Sequence, residues 1–175
     1  MKTHILVATD GSDAAMRAVE LAAEIAAKFG VPLTVAHAMH FGRPPEELAR
    51  MAEVEHLVER AQARAPVDFP NVPDSMLGLF RDTRPRDDSM RLVTMIGEEL
   101  MERAADRAKE IGAKTVTTRS VVDDPAEGIL HIAEDVGADM IVLGHRGLGR
   151  LKRAVLGSVA QKVLNHADCT VVSVR

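Results

Sequence analysis

Four residues in the last quarter of the chain have the types and spacing that could bind a phosphate group through main-chain amides. They are Gly144, Gly147, Gly157 and Ser158. Glycine has no Cβ, so its N–H group can approach an anion closely. The apolar run Met140–Leu143 before them is typical of a buried strand, and the helical pattern over Val155–His166 would add unpaired donors at its N-terminus. The spacing therefore predicts a nucleotide-binding site.

The loop between these glycines carries several side chains that could meet a polyanion. Its cations are Arg146, Arg150, Lys152 and Arg153. They could clamp a triphosphate, or they could form a solvated basic loop. His145 could contact phosphate, donate weakly near neutral pH, or face solvent. Ser158 could donate its hydroxyl to a ligand or cap the following helix.

A second candidate segment lies near the start of the chain, where the apolar run His4–Thr9 is followed by Asp10. If this run and the later one are parallel strands of one sheet, their carboxyl ends share the edge where ligands of such sheets bind. Asp10 would then be an acceptor in the same crevice as Gly144. The alternative is a strand-to-helix turn in which Asp10 and Ser12 supply capping hydrogen bonds, and the sequence leaves both open.

These two segments resemble the universal stress protein family, in its ATP-binding branch. The phosphate loop of that family has the pattern G-x2-G-x9-G-(S/T), and the four loop residues named above match every spacing. The start of the chain, through Asp10-Gly11-Ser12, is similar to the family's first strand and its acidic residue. The resemblance covers about residues 1–41 and 90–175.

The resemblance implies that the protein binds ATP, with Mg²⁺ as the companion of the triphosphate. Ala8 and Thr9 would line the adenine side, and Ala38 would hydrogen-bond adenine through its backbone. Asp10 would contact the ribose or help to place the divalent cation. The phosphates would be held by the glycine loop, the residue before it and the start of the next helix. These residues are Leu143, Gly144, His145, Arg146, Gly147, Gly157, Ser158 and Val159.

Strand-like and helix-like segments alternate along the chain, which predicts parallel strands with helices on both faces. The pattern indicates an α/β fold of three layers, α/β/α, around an open sheet of five parallel strands. We expect the strand order 3-2-1-4-5, in an open sheet of the adenine nucleotide α-hydrolase-like or flavodoxin-like kind. The predicted strands cover about residues 4–9, 33–40, 115–122, 140–143 and 170–174, and the predicted helices about 12–29, 89–111, 125–136 and 155–166.

Residues 43–88 do not fit this pattern and are predicted to be an insertion after the second strand. Their first part, about 45–65, has helical spacing, and about 66–88 has the composition of a long loop with an apolar island at Met76–Phe80. The insertion is either a surface helix with a mobile loop, or it carries a lid or a docking patch. Together with it, residues 1–175 are expected to form one domain.

Composition excludes several classes of protein. The formal net charge of −4 and the aromatic content of 2% argue against nucleic-acid binding. No apolar stretch reaches the length of a membrane span, so membrane insertion is not expected. Because the predicted first strand begins at about residue 4, a signal peptide is not expected. The single cysteine, Cys169, cannot form an internal disulfide, which fits a reducing cytoplasm. Its side chain is expected to be a small buried hydrophobe.

The histidines lack ligand-like spacing, and no Ser-His-Asp or Cys-His arrangement is visible, so we expect a binding protein rather than an enzyme. The leading hypothesis is a cytoplasmic ATP-binding stress protein acting through nucleotide-dependent dimerisation or a regulatory protein partner. The alternatives are a slow ATP hydrolase or phosphotransferase and a nucleotide-free interaction module. The last strand, within Cys169–Val174, has no proline or charge to protect an edge, and this together with the resemblance predicts a homodimer through it.

Overall fold

A computed structural model describes residues 3–39, 87–147 and 156–175 of the chain. Its elements are β1 Ile5–Ala8, α1 Asp13–Phe29, β2 Leu33–Met39, α2 Asp87–Ile111, β3 Val116–Val122, α3 Pro125–Asp135, β4 Met140–Gly144, α4 Ser158–His166 and β5 Thr170–Val174. Most of the predicted insertion, including Met76–Phe80, lies outside the described residues. Asp87 and Asp88 belong to α2, so the prediction of a loop through residue 88 is wrong at these two positions.

The five strands form one sheet in the order β3-β2-β1-β4-β5, which confirms the predicted fold. β1 is central, and its last residue, Ala8, lies beside Ala36 of β2 and Leu143 of β4. All pairs are parallel, so each connection returns from the carboxyl end of one strand to the amino end of the next. The carboxyl ends of β1 and β4 are therefore neighbours where the strand order reverses, the usual position of a ligand crevice.

Two apolar layers hold the helices on the sheet. Because side chains alternate along a strand, Ile5 and Val7 face the layer with α1 and α2, whereas Leu6 and Ala8 face the layer with α3 and α4. The buried face of α1 consists almost entirely of alanines, at positions 14, 15, 18, 22, 23 and 26. These small side chains let α1 lie close to the sheet, which brings its first turn against the end of β4.

The ends of some elements differ from the predicted boundaries. β1 ends at Ala8 rather than Thr9, and α4 begins at Ser158 rather than at position 155. The ends of α1 are as expected: Ser12 Oγ accepts from the Ala15 amide at 3.2 Å, and Gly30 has a φ of 66°. Among the described helices, none is long and apolar enough to cross a membrane.

Polar side chains pin the amino edge of the sheet, opposite the crevice. Asp139 accepts from the amide and hydroxyl of Thr3 at 2.7 and 3.1 Å. His4 Nε2 lies 2.8 Å from Thr34 Oγ1, which in turn lies 3.0 Å from Thr117 Oγ1. Burial lowers the pKa of the His4 imidazole, although the charge of Asp139 acts in the opposite direction. These contacts join the four neighbouring strands β3, β2, β1 and β4 at the edge that carries no candidate ligand site.

β5 forms one edge of the sheet. The Thr170 amide donates to the Asp139 carbonyl at 3.4 Å, so the main-chain groups of Thr170, and of every second residue after it, face β4. The main-chain groups of Val171 and Ser173 therefore face outward, away from the sheet. Cys169, just before β5, is partly buried, so the prediction that it is a buried hydrophobe is only partly correct. Cys169 is only partly buried because β5 is an edge strand and has no neighbouring strand on its outer side.

Candidate functional site

The two predicted segments meet at the carboxyl edge of the sheet. Asp10 follows β1 and Gly147 follows β4. The two residues are in contact although they lie far apart in the chain, because a Cβ added at Gly147 would overlap Oδ2 of Asp10. Gly157, at the start of α4, packs against the same loop, and its amide donates to the His145 carbonyl at 2.8 Å. The fold therefore brings the acidic residue, the glycine loop and a helix N-terminus into one crevice.

The turn from β1 to α1 is held partly by the Asp10 side chain. Asp10 Oδ1 accepts from the Ser12 amide at 3.0 Å, and Thr9 Oγ1 accepts from the Gly11 amide at 3.3 Å. Gly11 has a φ of 81°, a left-handed conformation that favours glycine. The capping alternative for Asp10 is thus present in the structure. It coexists with the contact to the glycine loop, because the two carboxylate oxygens face different partners.

Gly144 provides close packing rather than a turn beneath a ligand. None of Gly144, Gly147 and Gly157 has a positive φ, so these positions need space and not a left-handed backbone. Gly144 lies within β4, and a Cβ there would come 2.9 Å from the Ala14 carbonyl carbon and from the Ala15 amide nitrogen. The prediction that Gly144 turns the chain sharply is therefore corrected: its missing side chain lets β4 pack on the first turn of α1.

The N-cap residue of α4 has no side chain that could cap the first-turn amides. Gly157 is the N-cap residue, with φ −72° and ψ 154°, and makes no side-chain hydrogen bond. Ser158 is the first helical residue and is exposed, so the alternative in which it caps α4 is wrong by one position. The amides of Ser158 and Val159 belong to the first turn, which has no intrahelical acceptors for its N–H groups. The positive end of the α4 dipole thus lies beside the glycine loop.

His145 ties the glycine loop to β5. Its amide donates to the Val174 carbonyl at 2.6 Å, and its ring Nδ1 lies 3.1 Å from the same oxygen. A carbonyl only accepts, so Nδ1 carries the proton. The predicted contact with phosphate or solvent is therefore corrected for Nδ1, which bonds to the end of β5. Arg146, the next residue, is partly buried.

The predicted base contact, Ala38, has its main-chain groups turned toward the crevice. The Thr9 amide donates to the Ala36 carbonyl at 2.9 Å, so the main-chain groups of Ala36 face β1. Groups two residues apart face the same neighbour, so the N–H and C=O of Ala38 also face that side, where the paired part of β1 has ended. Below this edge, Ala8 and Leu143 are buried in the layer formed with α3 and α4.

Comparison with known proteins decides the family. A profile of the Universal stress protein family matches residues 1–175. The chain belongs to the universal stress protein family. Universal stress protein Rv1636 of Mycobacterium tuberculosis is 30% identical over 97% of this chain and 94% of its own. Universal stress protein YxiE of Bacillus subtilis is 29% identical over 100% of both chains.

Solved structures of this family share the fold. A universal stress protein in complex with cAMP superposes with a TM-score of 0.63 at 27% identity, covering 99% of this chain and 97% of that one. A universal stress protein from Archaeoglobus fulgidus superposes with a TM-score of 0.64 at 23% identity, covering 100% of both chains. The sheet described above is thus the family fold.

Asp10 is the candidate metal contact in this universal stress protein. Within residues 3–39, 87–147 and 156–175, no group of three or more His, Cys, Asp or Glu side chains is placed to hold a metal ion. A divalent cation at Asp10 would therefore need phosphate oxygens and water for most of its ligands, as Mg²⁺ commonly does. The magnesium assignment stays a prediction.

Sequence reasoning missed three residues that shape the crevice. Gly11 supplies the left-handed turn. His37, 5% exposed, places its Nδ1 2.8 Å from the Thr9 carbonyl oxygen. Gly128 lets α3 pack over β2, since a Cβ there would lie 3.1 Å from the Ala38 Cβ. A histidine inside an apolar strand and a glycine inside a helical pattern were the available signals.

Proposed function

We propose that this universal stress protein binds ATP in the crevice between β1 and β4 and acts as a regulatory or stress-response protein. The observation that carries the proposal is the contact between Asp10 and Gly147 beside the uncapped N-terminus of α4. The family member solved in complex with cAMP, at 27% identity, supports an adenine nucleotide as the class of ligand.

The phosphates would lie against Gly147, Gly157 and the first turn of α4. A Cβ at Gly147 would fill the space next to Asp10, and a Cβ at Gly157 would press on the loop backbone, so glycine keeps this cradle open at both positions. The donors would be the amides of Ser158 and Val159 with the exposed Ser158 hydroxyl. Hydrogen bonds to charged groups contribute roughly 1.5–3 kcal/mol each, so three of them supply about 4.5–9 kcal/mol. Micromolar binding requires about 8 kcal/mol after association costs, so contacts with the base and the ribose must supply the rest.

The base would lie beside Ala38, past the end of β1. The N–H and C=O of Ala38 face this space together, offering one donor and one acceptor. Adenine presents the complementary pair, an acceptor at N1 and a donor at its amino group. Guanine presents the reverse pair, so we expect the Ala38 backbone to discriminate against it.

Asp10 would serve the ribose or a magnesium ion. A partly buried carboxylate near a triphosphate repels it unless a cation neutralises part of the charge. Asp10 Oδ1 accepts from the Ser12 amide, so Oδ2, which faces Gly147, is the oxygen on the ligand side. The ion would supply charge neutralisation at this point. We therefore expect Mg²⁺ to strengthen the binding of ATP more than that of AMP.

Nucleotide occupancy would act through a dimer or a protein partner. Because His145 links the glycine loop to the Val174 carbonyl, a ligand that binds beside His145 would also act on β5. β5 is a sheet edge with outward-facing main-chain groups, so we propose a homodimer through Cys169–Val174. We place this dimer in the cytoplasm, where bound nucleotide would alter its packing or its recognition by a regulatory protein.

Isothermal titration calorimetry with ATP and GTP in the presence of Mg²⁺ tests the proposal. We expect ATP to bind in the micromolar range and GTP at least about tenfold more weakly, because the donor and acceptor of Ala38 do not match guanine. Absence of ATP binding to the wild type refutes the proposal. Multiple-turnover phosphate release would instead favour a hydrolase.

A further inference from the structure

A buried histidine stands at the carboxyl end of β2, next to the proposed base site. The His37 side chain is 5% exposed, and its Nδ1 lies 2.8 Å from the Thr9 carbonyl oxygen. Since a carbonyl only accepts, the ring donates from Nδ1. The ring also packs against α2, where a Cβ at Gly97 would lie 3.0 Å from His37 Cδ2 and 3.3 Å from Nε2. Glycine inside a helix is unfavourable, so its presence at this contact indicates that the ring needs the space.

The bond from His37 replaces a bond of the parallel ladder. The Ile5 amide donates to the Pro32 carbonyl at 3.0 Å, and the Thr9 amide donates to the Ala36 carbonyl at 2.9 Å. In a regular ladder with this register, the next bond would run from the Ala38 amide to the Thr9 carbonyl. The paired register ends at Ala8 and Ala36, and the Thr9 carbonyl accepts from the His37 ring instead.

We propose that His37 is a positioning residue for nucleotide recognition. By donating to the Thr9 carbonyl, its ring ends the ladder one bond early and leaves the Ala38 N–H directed into the crevice as a donor for N1 of adenine. The inference rests on the proposed function and adds to it the residue that prepares the base contact. With an apolar side chain at position 37, the buried Thr9 carbonyl would lose its donor. The Ala38 amide would then satisfy it by extending the ladder, and would no longer be available to the base.

This role is tested by a thermodynamic cycle in which the side chain at position 37 and the N1 atom of the ligand are each changed, separately and together. The variants are His37→Leu, which removes the ring donor, and His37→Asn, whose Nδ2 can occupy the place of Nδ1. The ligands are ATP and 1-deaza-ATP, which lacks the N1 acceptor, and calorimetry measures both affinities. We expect the wild type and His37→Asn to prefer ATP by about tenfold, the value of one hydrogen bond of about 1.4 kcal/mol. In His37→Leu the two ligands should bind equally.

The outcomes separate this inference from the proposed function. Wild-type protein that binds neither ligand contradicts the proposed function itself. Wild-type protein that binds both ligands equally, or a His37→Leu variant that retains the tenfold preference, overturns the role of His37 alone. A general loss of packing would weaken both ligands by the same factor and leave the preference unchanged, so it is distinguished from the predicted result.

Measurements on the wild type keep the inference testable if His37→Leu does not fold. In the ligand-free protein, the Ala38 amide should exchange with solvent faster than the Ala36 amide, which lies inside the paired register. ATP should slow the exchange of Ala38. The nitrogen chemical shifts of the His37 ring should show the tautomer with the proton on Nδ1. Equal protection of the two amides without ligand, or a proton on Nε2 alone, would overturn the assignment.

Discussion

Replacing Gly157 by aspartate should give a more stable protein than replacing it by alanine, and should strongly weaken the proposed binding of nucleotide. Gly157 is the N-cap residue of α4, with a φ of −72° and a ψ of 154° that any residue can adopt. A carboxylate at an N-cap accepts from the first-turn amides, which are the groups proposed to hold phosphate. The substitution therefore supplies an internal anion that competes with the ligand.

The matched control is Gly157→Ala, which adds only the Cβ. That atom would lie 3.2 Å from the His145 carbonyl oxygen and 3.4 Å from the Arg146 Cα, contacts that a small shift of the loop can relieve. An N-cap aspartate contributes about 1 kcal/mol more than alanine, and its interaction with the helix dipole adds about 0.5 kcal/mol. A total of about 1.5 kcal/mol corresponds to a Tm roughly 3–6 °C above that of Gly157→Ala for a chain of this length.

The affinity for ATP should change in the opposite direction. Loss of two charge-assisted hydrogen bonds of about 1.5 kcal/mol each lowers the affinity about 100-fold relative to Gly157→Ala. Differential scanning calorimetry measures the first effect and titration calorimetry the second. If Gly157→Asp bound ATP as tightly as Gly157→Ala, the phosphates would not lie at the N-terminus of α4, and the reasoning would be refuted even if the Tm rose.

Three further predictions concern the fold, its pH dependence and its assembly. Gly144→Ala would place a Cβ 2.9 Å from the Ala14 carbonyl carbon, so the free energy of unfolding measured in urea should fall by about 1–3 kcal/mol. An unchanged free energy of unfolding would contradict the packing role of Gly144. Because burial lowers the pKa of His4 in the folded protein, the unfolded chain binds a proton at this imidazole more readily. The free energy of unfolding should therefore fall as the pH drops below 6.5. Urea titrations should show this decrease in the wild type and not in His4→Gln. If the proposed homodimer pairs through β5, the wild type and Ser173→Thr should sediment as dimers, whereas Ser173→Pro, which lacks an outward N–H, should sediment as a monomer. A dimeric proline variant would exclude pairing through this edge.

The fold was predictable because each element carries its own local signal. The apolar run at Met140–Gly144 and the three- and four-residue spacing toward Ile111 identify a strand and a helix without any knowledge of their neighbours. The alternation of such segments then favours a parallel sheet with helices on both faces. The sequence pattern places the start of α4 at residue 155, which is too early, because Gly157 has an extended backbone and α4 begins only after it. The Gly157 amide donates to the His145 carbonyl, and a bond between two ends of a loop cannot be recognised from helical spacing.

The sequence predicts which residues could form the candidate site, and the structure shows which of them lie together. The glycine spacing and the acidic residue after β1 single out Gly147, Gly157 and Asp10, and these three residues meet in one crevice. The sequence does not reveal that the missing Cβ of Gly144 allows close packing on α1. It also does not reveal that Nδ1 of His145 bonds to the Val174 carbonyl at the end of β5. In both cases the partner lies far along the chain.

The amino-acid sequence by itself determined which chemical groups are present and which segments become strands and helices, because these depend on residue types and on local periodicity. Only the tertiary structure decided which group meets which. Because the pairing of β1 with β2 ends at Ala8 and Ala36, the Ala38 backbone faces the crevice. The Thr9 carbonyl accepts a hydrogen bond from the His37 ring. Hydrogen bonds of this kind depend on distances of a few tenths of an ångström between distant segments, and only the packed sheet sets those distances.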